Sequence, residues 1–251
     1  METHANHLHH APGKNFWHYF YEFLMLFLAV FCGFLAENVR EHRVEAERAE
    51  QYVISFYEDL KSDTTKISKA MEYDEQKILA LNNMYNCYDT INKNWKATNC
   101  MWELINKSQT NRVFQLTDRT LKQLSNAGGF RLLGKEDSDS IISYESQFNA
   151  FADFQSTAFQ EAQDNVRNTY SMIVDFKANA QIQGTSLGGD TAKVNPGMPL
   201  LFSSDKNLLN KYFNELLLYW RVTKGHRAQL EKLNMKAGRL IEFYKTKHQL
   251  E

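Results

Sequence analysis

Residues Asn15 to Ala36 read NFWHYFYEFLMLFLAVFCGFLA, twenty-two residues with one formal charge, Glu22, and none at all from Phe23 onward. A helix rises about 1.5 Å per residue, so the roughly 30 Å hydrocarbon core of a bilayer takes about 20 residues. The segment reaches that length with Glu22 at the interface, where Trp17, Tyr19 and Tyr21 form an aromatic belt. The reading is a transmembrane helix over 15–36, preceded by a short His-containing tail, 1–14. A cleaved signal peptide has an apolar stretch of similar length, but Phe34 stands where a small-x-small cleavage site ending at Ala36 needs a small residue. The sequence that follows also stays in helical register.

Beyond the apolar run, no glycine or proline occurs from Phe34 to Ala127. Val53, Phe56, Leu60, Thr64, Ile67, Met71, Ile78, Leu81, Tyr85 and Tyr88 recur at helical spacing. The membrane helix is therefore expected to run on to about Ile91, with Glu37, Arg40, Glu45 and Arg48 on a solvated face. A polar break follows at Asn92 to Trp95, then short helices near Asn99–Lys107 and Thr117–Ala127. Gly128 falls where a left-handed helix cap wants no Cβ. Asp137 or Ser138 is expected to cap a long helix to about Gln181, with Phe176 on its inward seam. Ser203 or Ser204 is expected to cap a last one to about His248, bent near Gly225. Between them, Gly184 to Pro199 holds four of the eleven glycines and two of the three prolines. Helices with one apolar stripe each hide those stripes against one another. The expected fold is all-α: an N-terminal transmembrane helix continuing into an elongated antiparallel helical bundle, 37–251, with an irregular loop at 184–203.

Composition narrows the function classes. The chain has 251 residues, 43% of them hydrophobic, enough for a packed core. Twenty-nine Lys and Arg face thirty Asp and Glu, so no overall basic field draws it onto nucleic acid. Three cysteines exclude a four-cysteine zinc site. Cys87 and Cys100 flank the Asn92–Trp95 break nearly symmetrically, which places them side by side in a helical hairpin, either as a disulfide or as two buried thiols. A bridge there implies an oxidising compartment. Cys32 lies in the membrane segment. Orientation is read two ways: Arg40, Arg43 and Arg48 after the segment, against Lys14 before it, would hold the large domain in the cytoplasm. Yet these arginines are interleaved with Glu37, Glu41, Glu45, Glu47 and Glu50.

No phosphate loop, nucleophile elbow or H-E-x-x-H helix occurs, and no cofactor fingerprint. His4, His7, His9 and His10 form only a weak metal-binding tail. His42, His226 and His248 have no ligand-spaced neighbour, and Glu58, Asp59 and Asp63 read as solvated carboxylates of an amphipathic helix. No catalytic, cofactor or metal residue is assigned. Glu22 is either an intramembrane contact for a partner or a side chain snorkelling to the interface. Phe27, Phe31 and Phe34 form a lipid or self-association face.

The stretches EFLMLFLAVFCGFLAENVREH, YEDLKSD and TLKQLSNAGGFRLL together resemble a family of uncharacterised single-pass membrane proteins of Gram-negative bacteria, over most of residues 20 to 145. The resemblance implies an inner-membrane anchor and an extracytoplasmic helical domain, and carries no activity. Many members have a Lys/Arg-rich N-terminus, which this chain lacks. The expectation is a membrane-anchored, non-enzymatic scaffold or accessory subunit, embedded in the lipid bilayer and binding a protein partner or a second copy. An extracytoplasmic small-molecule sensing domain is the alternative.

Overall fold

The computed structural model describes residues 16–182, 200–202 and 204–250. The histidine tail, the Gly184–Pro199 segment and Ser203 lie outside them. Among the described residues every regular element is helical, and the one β-type pairing is an isolated antiparallel bridge between Val174 and Leu201. The chain divides into two compact units, Met1–Gln51 and Tyr52–Glu251.

In the first unit, α1 (Phe16–Leu81) begins with a helix long and apolar enough to cross a membrane, and none of that apolar window is buried by protein. Phe23, Phe27 and Phe31 stack along it, with ring centroids 6.3 and 5.9 Å apart. Arg40 pairs with Glu37 on the exposed surface.

In the second unit, α1 from Tyr52 onward buries Val53, Phe56, Leu60, Ile67, Ile78 and Leu81 on one stripe. The helix stops at Leu81 rather than running to Ile91. Asn82 and Asn83 form a turn there, and α2 (Met84–Lys93) starts afresh. Asparagine favours such sites because its side chain competes for hydrogen bonds with the backbone. Here Asn82 Oδ1 accepts from Trp220 Nε1 at 2.9 Å, and Asn83 Oδ1 accepts from Asn86 Nδ2 at 3.2 Å. The new direction leaves Tyr85 exposed, off the expected seam.

After α3 (Met101–Ser108) an extended stretch leads to α4 (Arg119–Asn126). The glycine pair that follows has two separate reasons. Gly128 is left-handed, with φ of 62°, while a Cβ on Gly129 would lie 3.0 to 3.2 Å from Leu124 and Tyr52. A 3₁₀ turn (Gly129–Leu132) then delivers the chain to α5 (Lys135–Phe154). This helix starts one turn before the expected cap, so Asp137 lies in its first turn. A π-turn (Gln155–Phe159) joins α5 directly to α6 (Gln160–Ile173).

The helix ends at Ile173, short of Gln181, because Val174 turns extended to pair with Leu201. Asp175 Oδ1 then accepts from the backbone N–H groups of Lys177 and Ala178 to open α7 (Phe176–Ile182). Phe176 is consequently exposed. α8 (Lys206–His248) is capped by Asp205, whose Oδ1 accepts from Asn207 N at 2.8 Å, and it runs unbroken through Gly225. Contacts of α8 with α1 run in opposite chain order: Tyr244 meets Phe56, His226 meets Asp74, and Tyr219 meets Lys77. One cluster of buried apolar residues joins α2, α3, α6 and the first half of α8.

Candidate functional site

Glu22 lies on the apolar part of α1, in a shallow groove of the helix surface with His18, Tyr21, Met25 and Leu26, and has no hydrogen-bond partner among the described residues. Cys87 on α2 and Cys100, just before α3, form a disulfide, with Cα atoms 5.4 Å apart. Cys87 is fully buried in that apolar cluster. Within the loop so closed, Thr98 Oγ1 accepts from Leu200 N at 3.1 Å, so the bridged hairpin also holds the segment paired with Val174. Cys32 is a free, exposed thiol on the apolar helix.

The densest chemistry lies where no spacing rule pointed. Asp59, Asp63, Asp74 and Lys77 all sit on the buried stripe of α1, each at 2% exposure or less. Asp59 and Asp63 receive the start of α4. Asp59 Oδ2 accepts from Thr120 N at 3.1 Å and Thr120 Oγ1 at 2.5 Å, and its Oδ1 takes Arg119 at 3.0 Å. Asp63 accepts from the Thr117 N–H at 2.9 Å, the Thr117 hydroxyl at 2.6 Å and the Tyr144 hydroxyl at 3.1 Å. Asp59 therefore caps α4 from another helix, satisfying an N–H group that the N-cap Asp118 leaves open, and Asp63 anchors the residue before that cap. Burial pushes the pKa of Asp63 up, partly offset by the Thr117 and Tyr144 hydrogen bonds. The reading of Asp59 and Asp63 as solvated is thus corrected.

About three turns beyond Asp63, Asp74 Oδ2 meets His226 Nδ1 at 2.6 Å, both fully buried. The other ring nitrogen, Nε2, lies 3.1 Å from Gln155 Oε1. That amide is oriented by the backbone of Phe114, whose N–H donates to Oε1 at 3.0 Å and whose carbonyl accepts from Nε2 at 3.1 Å. Both imidazole nitrogens thus lie within hydrogen-bond distance of a side-chain oxygen, one from Asp74 and one from Gln155. The ring stacks on Phe159, with centroids 4.1 Å apart and planes within 5°. The π-turn makes this possible, because one extra residue per turn brings both Gln155 and Phe159 inward.

Lys77 lies next to this pair and is also fully buried. Its Nζ donates to Tyr219 Oη at 2.5 Å and to Asn111 Oδ1, and it faces the rings of Tyr219, Tyr73 and Phe159 at 4.8, 5.3 and 5.5 Å. Asn111 Nδ2 passes the chain on to Gln163 Oε1 at 2.5 Å. No carboxylate forms a salt bridge with Lys77 among the described residues. Burial pushes its pKa down to about 7 despite the nearby charge of Asp74, and Arg167 adds to the fall. The Tyr219 hydroxyl is pushed far up by burial, and the negative charge of Asp74 adds to the rise. The cluster can gain or lose a proton at Lys77 close to neutral pH.

A third acidic site ties the ends of α5 and α8. Asp137 Oδ1 lies 2.9 Å from Lys247 and 3.3 Å from His248. His226 and His248 therefore each have a carboxylate partner, separated by more than a hundred residues and so invisible to ligand spacing. The one local signal for the buried charges was their phase. Asp63, Asp74 and Lys77 keep three- and four-residue steps with Phe56, Leu60, Ile67, Ala70 and Leu81. No protein family, no characterised protein and no solved structure matches this chain.

Proposed function

We propose that the chain is a single-pass membrane protein whose second unit is a non-catalytic partner-binding module on the oxidising side of the cytoplasmic membrane, as the resemblance to the Gram-negative single-pass family implies. The Cys87–Cys100 disulfide carries this reading, since such bridges persist outside reducing compartments. The opposed contacts of α1 and α8 support an antiparallel helical bundle as its architecture. The buried His, Asp, Lys and Tyr groups are bonded to one another at the helix interfaces, as expected of groups that specify packing rather than turn over a substrate.

Thiol labelling of intact cells, spheroplasts and lysed cells tests the compartment. Cys87 and Cys100 should label only after reductant, with a reagent that does not cross the inner membrane. Labelling without reductant, and only after lysis, would overturn the assignment. In-cell cross-linking tests the module: a discrete protein adduct is expected, and recovery of the uncross-linked chain alone counts against it.

The small-molecule alternative rests on one feature, a groove of about 200 Å³ between α2 and α8 lined by Met84, Tyr85, Tyr88, Phe213 and Leu217. Apolar clefts between helices suit small apolar ligands. Thermal stabilisation by such ligands, lost in Phe213→Ala, would favour sensing over scaffolding.

A further inference from the structure

We propose that the groove between α5 and α8 around Lys232, Lys236 and Arg239 is the docking site for an acidic segment of the protein partner. This rests on the reading of the second unit as a partner-binding module and names the chemistry of that partner. The groove is open, about 530 Å³ in volume, and lined by Gln147 of α5 with Lys232, Met235, Lys236, Arg239 and Leu240 of α8. The three cations stand at i, i+4 and i+7, so one face of α8 carries them all. None has a carboxylate partner among the described residues. The ion pairs of this half of α8 among the described residues use Arg227, with Glu75 and Glu231, Lys247, with Glu136 and Asp137, and the contact of His248 with Asp137.

Lys236 is already held in position. Its Nζ donates to the Ser143 carbonyl at 2.5 Å and to Ser143 Oγ at 2.7 Å. Burial pushes its pKa down, with no acidic group opposing the fall. An incoming carboxylate would supply that missing charge. The chain as a whole carries a net charge of −1, so this is a local excess of positive charge and not part of a general basic field.

The occupant follows from the layout. From Lys232 to Arg239 the helix rises about 10 Å. Carboxylates on alternate residues of an extended chain lie about 6.5 Å apart and can meet such a row in pairs. A compact phosphate would use one or two of the cations. The groove also runs along helix interiors, where backbone N–H groups are already bonded, so it lacks the free amides from which phosphate cradles are built. Met235, half exposed, and Leu240 add an apolar strip that suits an apolar side chain set among the acids.

The test uses the full chain in neutral detergent micelles, with a fluorescent hexaglutamate peptide as probe. Saturable binding is expected. It should weaken about tenfold or more in Lys232→Glu with Arg239→Glu, and fall as salt is raised. Both positions are solvent-exposed, so an unchanged melting temperature is expected and checks that the variant is folded. Lys232→Arg should bind as the native chain does. Equal binding by native and charge-reversed chains overturns the site. So does equally charge-dependent binding of inorganic phosphate or of phosphatidylglycerol vesicles. A charge-reversed chain that cross-links its partner in cells as the native one does removes the groove and leaves the module reading standing. A native chain that binds the peptide but cross-links to no protein removes the module reading instead.

Discussion

The two ends of α1 are one continuous helix in two different environments. From Phe16 to Gln51 almost nothing is buried, and the apolar residues of Phe16–Ala36, with Glu22 the single charge among them, face outward. From Tyr52 to Leu81 the helix buries three aspartates and a lysine along its apolar stripe. The difference shows that helical periodicity says where a residue points, and the neighbours decide what it meets there. In the first stretch an outward apolar surface suits lipid, with its backbone groups satisfied within the helix. In the second, a carboxylate tolerates the interior because residues distant in sequence supply its hydrogen bonds.

The sharpest way to break that contrast is Asp74→Ala, which strands His226 beside Gln155 and Phe159. Removing one member of a buried pair costs about 3–5 kcal/mol, so the denaturant midpoint of the second unit should fall steeply. Asp74→Leu with His226→Phe should recover most of the loss. A double variant as unstable as Asp74→Ala alone would show that the site needs the polar groups themselves and that apolar packing with a stacked ring does not replace them.

Opening the disulfide with Cys87→Ser and Cys100→Ser should cost roughly 3 kcal/mol on the chain-entropy account of a loop this short. The midpoint of the native chain should shift by a similar amount with reductant, and that of the variant should not shift.

Lys77 gives a pH-dependent effect with a definite sign. Its folded pKa, about 7, lies below the ordinary lysine value of 10.5, so between those limits the unfolded chain binds more protons than the folded one. Stability from this group is therefore least below pH 7 and rises toward pH 10.5, by at most about 1.4 kcal/mol per pH unit. Lys77→Met should be more stable than the native chain at pH 6 and should lose this rise. A Lys77→Met profile parallel to the native one would show that Lys77 stays charged in the fold.

Smaller effects follow at the ends of the comparison. Asp59→Ala removes the cap that α1 lends to α4, at about 1–2 kcal/mol, seen as faster amide exchange at Thr120. Glu22→Gln should leave the unfolding of the second unit unchanged within about 0.5 kcal/mol. A large change there would mean that Glu22 has a polar contact essential to the fold.

Much of the helix content was legible in local pattern: the apolar run at the N-terminus, the stripe from Val53 to Leu81, and the left-handed Gly128 after α4. The break at Asn82–Asn83 was missed because its asparagines fit a helix by spacing alone, while the turn depends on Asn82 meeting Trp220. The end of α6 at Ile173 was missed for a similar reason, since Val174 leaves the helix to pair with Leu201 across the chain. Asp205 rather than Ser204 caps α8, a choice among adjacent cap-forming residues that spacing does not make.

The buried site was the least legible part. Asp59, Asp63 and Asp74 look like any acids of an amphipathic helix until Thr117, Thr120, Tyr144 and His226 are brought to them. By itself the sequence determined helix, a span apolar enough for a membrane, and the placing of two cysteines about a break, because hydropathy, capping and chain reversal act over a few residues. Tertiary structure alone decided which charges are buried and which histidine faces which carboxylate. Desolvation and hydrogen bonding depend on whatever atoms surround a group, and here those atoms arrive from helices up to 152 residues away.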